Sequence, residues 1–407
     1  MTSDNTISQS VSQSVAQTRQ SLWPNYSPPA DLVFSHGQGS ELVTEDGDVY
    51  LDFLSGIAVT SFGHAHPHLI KVLHAQAEKL WHVSNLFRIP GAERLASRLT
   101  DHCFGDRVFF ANSGTEAVEA GIKAIRAYQA HQGRKQRFRI IGFHDSFHGR
   151  TLGALAAAGN NAKTRTFIPT DYGFDHAPWE DLDAVEALIG EHTAGVILEP
   201  VQGEGGIRPI SAPFLEALSR LCKKHDLLLM VDEVQCGIGR TGKLFAHQHY
   251  GITPDIMALA KGLGGGFPIG ACLTTAAVGD AMVVGTHGST FGGNPLATAV
   301  GNGVLDLLLE PGLLDEVADK GASLTRRLEA LIDATPGVVE SVHGRGLMLG
   351  LKCQVENTAL LTELRERKLL AVSAGGNMVR LLPPLNISST DLERGAAIIG
   401  DAMAALT

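Results

Sequence analysis

The stretch Leu227–Gln235 reads LLLMVDEVQ, an apolar run that ends abruptly on two carboxylates. A short continuous apolar run is typical of a strand that is buried on both faces. The amphipathic stretch PFLEALSRLCKKHD precedes it, and another apolar run, AGVILEP (Ala194–Pro200), comes before that. Strands that alternate with helices predict an α/β fold with a mostly parallel sheet covered by helices. Ligands of such sheets bind beyond the carboxyl ends of the strands, which is where Asp232 and Glu233 lie.

The chain divides into four predicted regions. Residues 1–22 are rich in Ser, Gln and Thr and predict a disordered tail. Residues 23–75 begin with alternating apolar and polar residues that predict short antiparallel strands, and residues 76–308 carry the strand–helix alternation of a large domain. Residues 309–407 contain a long helical stretch, short strands and a closing helical stretch, which predict an α+β domain. We expect the N- and C-terminal segments to form a small α+β domain together.

The composition is that of an ordinary soluble globular protein. Of 407 residues, 44% are hydrophobic and 19% are charged, and the formal net charge is −10. No basic cluster indicates nucleic-acid binding. The five cysteines are scattered without CxxC spacing, which favours a reducing compartment over a disulfide framework. Neither an apolar leader nor an apolar run of about 20 residues is present, so we predict a cytoplasmic protein.

A lysine supplies the second part of a candidate site. The stretch Pro254–Ala271, PDIMALAKGLGGGFPIGA, is an apolar strand that ends in Lys261 with crowded glycines behind it. An amine in an apolar, crowded setting has a lowered pKa and forms a Schiff base with carbonyl compounds. Pyridoxal 5′-phosphate (PLP) is the carbonyl ligand that needs both an amine and a fixed anion, because its pyridine nitrogen must stay protonated. We therefore predict that Lys261 binds PLP and that Asp232 faces the pyridine nitrogen.

Other interpretations of these residues are available. Lysines at strand ends are commonly solvated, and Asp232 could cap the following helix or pair with Arg240. A Walker-type magnesium site would require GxxxxGK[ST], which the chain lacks, and no GxGxxG follows a first strand as a nicotinamide site would require. A non-catalytic binding protein of the same fold is a further alternative.

A third stretch predicts a phosphate site. Ser113, Gly114 and Thr115 lie between the apolar strand Arg107–Ala111 and a helical stretch. Backbone N–H groups and the helix dipole at such a junction bind phosphate. A capping box formed by Ser113 and Glu116 is equally expected and is compatible with that role.

These motifs together resemble those of the class III (ω-) aminotransferases, which are PLP-dependent enzymes of fold type I. The resemblance runs from about Tyr26 to the C-terminus. It rests on the following motifs, which occur in the family's order: LDFLSGIAV, GHAHP, NSGTEA, FHGRT, EPVQGEGG, DEVQCGIGRTGK, AKGLGGGFPIGA, GSTFGGNP and VRLLPPL. The resemblance implies the PLP-dependent transferase fold type I, with a mostly parallel seven-stranded sheet.

The resemblance also implies roles for residues around the cofactor. Lys261 would carry PLP and Asp232 would partner its pyridine nitrogen. Gln235 would contact the phenolic oxygen. Phe147 and Val234 would lie on the two faces of the ring.

The stretch HGSTFGGNP, His287–Pro295, implies a contribution from a second subunit. In the family the hydroxyl corresponding to Thr290 reaches the phosphate of the other subunit's cofactor. The resemblance therefore implies a homodimer with shared active sites, and Ser289 is predicted to contact the substrate. A glycine-rich turn with an incidental hydroxyl is the alternative.

Two arginines and one glutamate are implied for substrate recognition. Arg150 would hold the distal carboxylate of an ω-amino donor and the side-chain carboxylate of glutamate. Arg380 would hold the α-carboxylate of glutamate. Glu204 would pair with Arg380 while the donor is bound, since a buried charge without a partner is costly. Each of these could instead form an ordinary ion pair.

Ile57 bears on the choice of donor. Ornithine aminotransferases carry a tyrosine at the corresponding position, and an aliphatic residue better suits an acylated α-nitrogen. The expected reaction is the ping-pong conversion of N2-acetyl-L-ornithine and 2-oxoglutarate to N-acetyl-L-glutamate 5-semialdehyde and L-glutamate, a step of arginine biosynthesis. N-succinylornithine, ornithine and γ-aminobutyrate are alternative donors. The HxHxH pattern of His64, His66 and His68 is expected to form a turn, and no metal site is predicted.

Overall fold

The structure, a computed structural model, describes residues 21–159, 165–167 and 172–407. The predicted disordered tail, residues 1–22, lies outside the described residues except for its last two positions. Within the described ranges no helix has both the length and the apolar character that a membrane crossing requires. All five cysteines are free thiols.

Strands and helices alternate through the middle of the chain. The strands are β1 (Phe34–Gln38), β2 (Glu41–Thr44), β3 (Val49–Asp52), β4 (Arg107–Ala111), β5 (Arg139–Phe143), β6 (Phe174–Ala177), β7 (Thr193–Leu198), β8 (Val201–Gln202), β9 (Arg208–Pro209), β10 (Leu228–Asp232), β11 (Ile256–Leu259), β12 (Gly270–Thr274), β13 (Val339–Arg345), β14 (Met348–Cys353), β15 (Leu369–Leu370), β16 (Val372–Ala374) and β17 (Met378–Leu381). The α-helices are α1 (Pro67–Ala77), α2 (Pro90–Thr100), α3 (Gly114–His131), α4 (Leu152–Ala157), α5 (Leu182–Leu188), α6 (Ala212–Lys224), α7 (Ala276–Gly279), α8 (Pro295–Leu308), α9 (Leu313–Ala334), α10 (Asn357–Glu366) and α11 (Ser389–Ala404).

Seven strands form the central sheet, in the order β4-β12-β11-β10-β7-β5-β6. The five strands from β11 to β6 run parallel, whereas β12 is antiparallel to both of its neighbours. The predicted seven-stranded, mostly parallel sheet is confirmed. The antiparallel strand β12 was not predicted as a separate strand. The chain reverses before it at Gly265 and Gly266, whose φ angles of +53° and +119° lie where other residues are strained.

Helices cover both faces of this sheet because consecutive residues of a strand point to opposite faces. On β10, Met230 packs in a cluster with Ile125 of α3, whereas Leu229 packs in a cluster with Leu218 of α6. All four side chains are buried. This double coverage is the reason that β10 is apolar from Leu228 to Val231, before it ends at Asp232.

The remaining strands join the two ends of the chain. A four-stranded sheet has the order β1-β2-β3-β15, in which β15 pairs in parallel with β3 through Leu51 and Leu369. A second four-stranded sheet, β13-β14-β17-β16, carries Arg380 on β17. The N- and C-terminal segments therefore share one sheet. The domain boundaries at residues 22, 75 and 308 stay predictions.

A left-handed turn follows β3. Its four residues, Ser55–Ala58, have φ angles of +49°, +60°, +66° and +62°. For L-residues this conformation costs roughly 1–2 kcal/mol per residue, and only one of the four is glycine. Ile57 is the most unfavourable member, because β-branched residues rarely adopt positive φ.

The buried carboxylate of Asp52 holds this turn in place. Its Oδ1 accepts hydrogen bonds from the N–H groups of Leu54 and Ser55, both at 2.8 Å. Its Oδ2 lies 2.7 Å from Nε2 of His64. Such over-determined strain is typical of residues beside functional sites.

Candidate active site

A cavity of about 400 Å³ opens where β7, β10 and β11 end. The parallel register aligns Val231 with Leu198 and Asp232 with Ala258, so the residues that follow these strands emerge at one edge. Nine of the predicted site residues line the cavity: Ser113, Gly114, Thr115, Phe147, Arg150, Asp232, Val234, Gln235 and Lys261. The rule that ligands bind at the carboxyl ends of parallel strands therefore locates this cavity.

Lys261 begins a short 3-10 helix, Lys261–Gly264, just after β11. The glycines behind it are closely packed, since a Cβ atom added at Gly262 would lie 2.7 Å from Oγ of Ser61. Burial lowers the pKa of the Lys261 amine to about 8, and the positive charge of Arg380 adds to the shift. A considerable fraction of this amine is therefore neutral, and so nucleophilic, near neutral pH.

Asp232 is buried and has two hydrogen-bond partners. Its Oδ2 lies 2.8 Å from Nδ1 of His148, and its Oδ1 accepts the N–H of Val234 at 3.0 Å. Burial alone would lower the pKa of His148, but the hydrogen bond and the charge of Asp232 outweigh it and raise that pKa. The alternative pairing with Arg240 is wrong, because Nη1 of Arg240 donates to the carbonyls of Leu347 and Pro383 instead.

Glu199 adds a second buried carboxylate to the same cavity. Its Oε2 accepts the N–H of Phe147 at 3.0 Å and its Oε1 accepts the N–H of Gly203 at 3.1 Å. Burial raises the pKa of this carboxyl to about 7. Glu199 thereby ties together two loops of the cavity wall, one that carries Phe147 and Arg150 and one that carries Glu204.

The N-terminus of α3 faces the cavity. Ser113 is the N-cap and its Oγ accepts the N–H of Glu116 at 3.4 Å, while Oε2 of Glu116 accepts the N–H of Asn112 at 2.6 Å. The expected capping box is thus offset by one residue, because the Glu116 carboxylate accepts the N–H of Asn112 instead of the N–H of the N-cap Ser113. The N–H groups of Gly114 and Thr115 have no partner within the helix, as in every first helical turn. They are available to an anion.

Two further contacts shape this end of the cavity. A Cβ atom added at Gly114 would lie 2.7 Å from Cγ1 of Val234, so the helix backbone closely approaches that side chain. Oγ1 of Thr115 accepts the N–H groups of Arg150 and Thr151 at 3.2 and 3.3 Å. The helix terminus therefore also positions the loop that carries Arg150.

Arg380 is almost fully buried, with 1% of its surface exposed. Its Nη1 donates to Oε1 of Glu204 at 2.7 Å and to Oε1 of Gln235 at 2.9 Å. Gln235 lines the cavity, whereas Arg380 and Glu204 lie behind it. The carboxylate of Glu204 compensates a guanidinium that would otherwise be buried without a countercharge.

Arg150 has a different environment. Its side chain is exposed at the cavity, and its guanidinium carbon lies 4.6 Å from the centroid of the Phe147 ring. Among the described residues no ion pair is recorded for it. A solvated guanidinium stacked on an aromatic ring is available to a carboxylate from outside.

Besides Arg380 and Glu204, three further predicted residues lie away from the cavity lining within one chain. Oγ of Ser289 accepts the side-chain amide of Asn112 at 3.3 Å and the N–H of Gly292 at 2.9 Å. Thr290 is exposed. Ile57 packs against a neighbouring apolar cluster, although Val59, two residues further on, does line the cavity.

The family model for class-III aminotransferases matches residues 23–403. An acetylornithine aminotransferase from Mesorhizobium japonicum is 53% identical over 382 residues, which cover 92% of this chain and 96% of the relative. The chain belongs to the class-III aminotransferase family. The family predicted from the motifs is thus confirmed.

Solved structures of class-III aminotransferases share the fold. The N-acetylornithine aminotransferase of Stenotrophomonas maltophilia superposes with a TM-score of 0.83 at 35% identity, covering 96% of this chain and 99% of that one. The ornithine aminotransferase of Toxoplasma gondii has a TM-score of 0.91 at 32% identity, covering 96% and 94%. The backbone alone therefore does not separate acylated from free ornithine as the donor.

Class-III aminotransferases depend on PLP, and the cavity fits this cofactor. A partly neutral amine, a buried carboxylate and a free helix N-terminus surround it, and the side chains of Phe147 and Val234 also line it. These features match the aldehyde, the pyridine nitrogen, the phosphate and the ring.

Two buried polar residues that line the cavity, Glu199 and His148, were not singled out by the sequence analysis. Glu199 immediately follows β7, so the strand-end rule that located Asp232 could also have found it. No local signal could have assigned His148, because its partner Asp232 is 84 positions away.

Proposed function

We propose that this chain transfers the ω-amino group of N2-acetyl-L-ornithine to 2-oxoglutarate in a PLP-dependent ping-pong reaction. The products are N-acetyl-L-glutamate 5-semialdehyde and L-glutamate, and the reaction belongs to arginine biosynthesis. The observation that carries the proposal is the contrast between two arginines, one buried and paired with Glu204 and one exposed beside Phe147. The acetylornithine aminotransferase that is 53% identical supports the choice of donor.

Bound PLP supplies an electron-withdrawing ring that stabilises negative charge on the carbon that carries the amino group. In the proposed site, Lys261 holds the aldehyde carbon and Asp232 holds the proton on the pyridine nitrogen. Phe147 and Val234 enclose the ring. Ser113, Gly114 and Thr115 bind the phosphate, and Gln235 contacts the phenolic oxygen.

Lys261 is the proposed proton carrier. Its Nζ would accept the proton that leaves the substrate carbon and would hold it for the next proton transfer. Its pKa of about 8 suits both directions, because the neutral and charged forms are both accessible near neutral pH. Asp232, held by His148 and by the N–H of Val234, keeps its carboxylate oriented during this exchange.

The two arginines would sort the substrates. Arg150 binds the distal carboxylate of the donor and the side-chain carboxylate of glutamate, since each of these carboxylates lies at the far end of a short carbon chain from the reacting carbon. Arg380 binds the α-carboxylate of glutamate or 2-oxoglutarate when Glu204 releases it. While the donor is bound, the Glu204 carboxylate neutralises Arg380, so no buried charge is left without a partner.

A homodimer completes the proposed site. Ser289 and Thr290 lie outside the cavity lining of their own chain, and Thr290 is exposed. We propose that Thr290 reaches the phosphate bound by the partner subunit and that Ser289 positions the substrate near the same junction. The aliphatic Ile57, beside Val59 of the cavity wall, provides an apolar surface for an acyl group.

A donor panel tests this function. The purified holoenzyme is incubated with 2-oxoglutarate and acetylornithine, succinylornithine, ornithine or γ-aminobutyrate, and glutamate formation is measured. We expect the highest kcat/KM with acetylornithine. Lys261→Ala, the matched control, should form no glutamate with any donor. A higher kcat/KM with free ornithine or γ-aminobutyrate would contradict the proposal.

A further inference from the structure

The left-handed turn at Ser55–Ala58 belongs to a segment, Phe53–Ser61, that contacts two parts of the active site. On one side it is hydrogen-bonded to the chain that leaves β17. The N–H of Leu382 donates to the carbonyl of Phe53 at 2.6 Å, and Oγ of Ser55 donates to the carbonyl of Leu382 at 2.7 Å. The N–H of Leu385 donates to the carbonyl of Ser61 at 2.7 Å. The residue that these bonds hold, Leu382, is two positions after Arg380.

On its other side the segment packs against the turn that carries Lys261. A Cβ atom added at Gly262 would lie 2.7 Å from Oγ of Ser61, and one added at Gly266 would lie 3.7 Å from Cγ2 of Thr60. Val59 lines the cavity between these contacts. The same nine residues therefore touch the neighbour of Lys261 and the strand end beyond Arg380.

The segment is also constrained by its backbone conformation and by buried hydrogen bonds. Four consecutive residues lie in the narrow left-handed region, where few conformations are allowed. Ser55 is completely buried, and both its N–H and its hydroxyl are hydrogen-bonded. Asp52 fixes the start of the turn through two backbone N–H groups and is itself held by His64. Strain that is retained by so many bonds indicates a functional constraint.

We propose that the segment Phe53–Ser61 is a spacer that sets the separation between Lys261 and Arg380, with Ser55 as its positioning residue. The inference rests on the proposed function, in which Arg380 holds the α-carboxylate of glutamate and Lys261 acts at the adjacent carbon. That carboxylate is directly bonded to the reacting carbon. The separation between the amine and the guanidinium therefore decides whether glutamate or 2-oxoglutarate is aligned for reaction. The ω-amino donor does not use Arg380, so its alignment does not depend on the separation between Lys261 and Arg380.

Two variants remove the hydroxyl of Ser55 in different backbone settings. Ser55→Ala keeps a Cβ in the strained turn, whereas Ser55→Gly loses the hydroxyl and relieves the strain at φ +49°. Ser40→Ala is the matched control, because Ser40 is also buried and its hydroxyl donates to Asp391 at 2.9 Å rather than to the chain that leaves β17. Thermal unfolding of all three variants reports their folding.

The two half-reactions are measured separately on the holoenzyme, by the absorbance change of the cofactor in single turnovers with glutamate and with acetylornithine. Loss of one hydrogen bond should raise the apparent dissociation constant of glutamate about fivefold in Ser55→Ala and Ser55→Gly, with the acetylornithine constant nearly unchanged. In an Arg380→Ala background the same Ser55 change should add nothing further, because the group that it positions is absent.

The outcomes separate the spacer from the proposed function. The spacer proposal would be overturned if the Ser55 variants lost activity equally in both half-reactions, or if they bound glutamate as well as Ser40→Ala does. Either result would leave the proposed function intact. A wild-type enzyme that reacts with acetylornithine but not with glutamate would overturn both. If Ser55→Ala does not fold, Ser55→Gly carries the test by itself.

Discussion

The two arginines of the site lie in very different environments, although both are proposed to bind a substrate carboxylate. Arg380 lies on β17, is 1% exposed and donates to Glu204 and Gln235. Arg150 lies in a loop, is exposed, and stacks on Phe147. A carboxylate can reach Arg150 directly, whereas it can reach Arg380 only if Glu204 moves.

The difference follows from the cost of burying charge. A guanidinium in water needs no countercharge from the protein. Arg150 can therefore stay solvated, with only the Phe147 ring beside it, until a substrate binds. A guanidinium removed from water loses several kcal/mol of hydration and must be neutralised by the protein. The buried Arg380 is therefore available to a substrate carboxylate only when the Glu204 side chain releases it. An enzyme that binds two different substrates in one site requires this property.

The largest expected effect comes from removing the buried arginine. Arg380→Ala should slow the glutamate half-reaction about 10²- to 10³-fold, since the buried guanidinium that binds the α-carboxylate is lost. The acetylornithine half-reaction should change little. Single-turnover kinetics with each substrate measure both effects. Arg380→Lys should also be strongly impaired, because an ammonium cannot form the two parallel bonds of a guanidinium. Equal loss with both substrates would contradict the assignment.

Removing the exposed arginine should have a smaller and more general effect. Arg150→Ala should weaken both half-reactions about tenfold, because a solvated charge contributes less than a buried one and both substrates place a carboxylate there. The same single-turnover assays report it. Arg208→Ala is a suitable control, since Arg208 is another cation stacked on an aromatic ring, Trp179, and does not line the cavity. A loss confined to glutamate would show that the donor's carboxylate binds elsewhere.

Neutralising the carboxylate that masks Arg380 should change the preference between substrates. In Glu204→Gln the amide oxygen can still accept from Arg380, but the attraction between two opposite charges is lost. The guanidinium should then favour glutamate and disfavour the donor. We expect the ratio of the two apparent affinities to shift about fivefold toward glutamate. Competition between the substrates in steady state measures this ratio of affinities. An unchanged ratio would contradict the proposed role of Glu204 in masking Arg380.

The smallest expected effect is on the pH dependence of cofactor uptake. The Lys261 amine must be neutral to react with an aldehyde, so uptake of PLP by the apoprotein should rise with pH around 8. Arg380 lowers this pKa and Glu204 raises it. Arg380→Ala should therefore move the midpoint to higher pH, and Glu204→Gln should move it to lower pH. Arg150→Ala should leave it in place. Uptake rates followed by absorbance between pH 6 and about 10 test these directions.

Much of the site was predictable because its residues follow recognisable strands. Asp232 and Lys261 come directly after apolar runs, and both line the cavity. Ser113, Gly114 and Thr115 occupy the strand-to-helix junction that the pattern indicated. The strand β12 was missed, because the glycines before it were interpreted only as the crowded surroundings of Lys261, whereas they also reverse the chain.

The sequence by itself determined the alternation of strands and helices, the residues that end each strand, and the family. These are local properties, set by hydrophobic periodicity and by short motifs. Only the tertiary structure decided the pairings that give those residues their chemistry. His148 meets Asp232 across 84 positions, Glu204 meets Arg380 across 176, and Ser55 meets Leu382 across 327. Hydrogen bonds and charges act over a few ångströms in space, so which distant residues they join depends on how the elements pack.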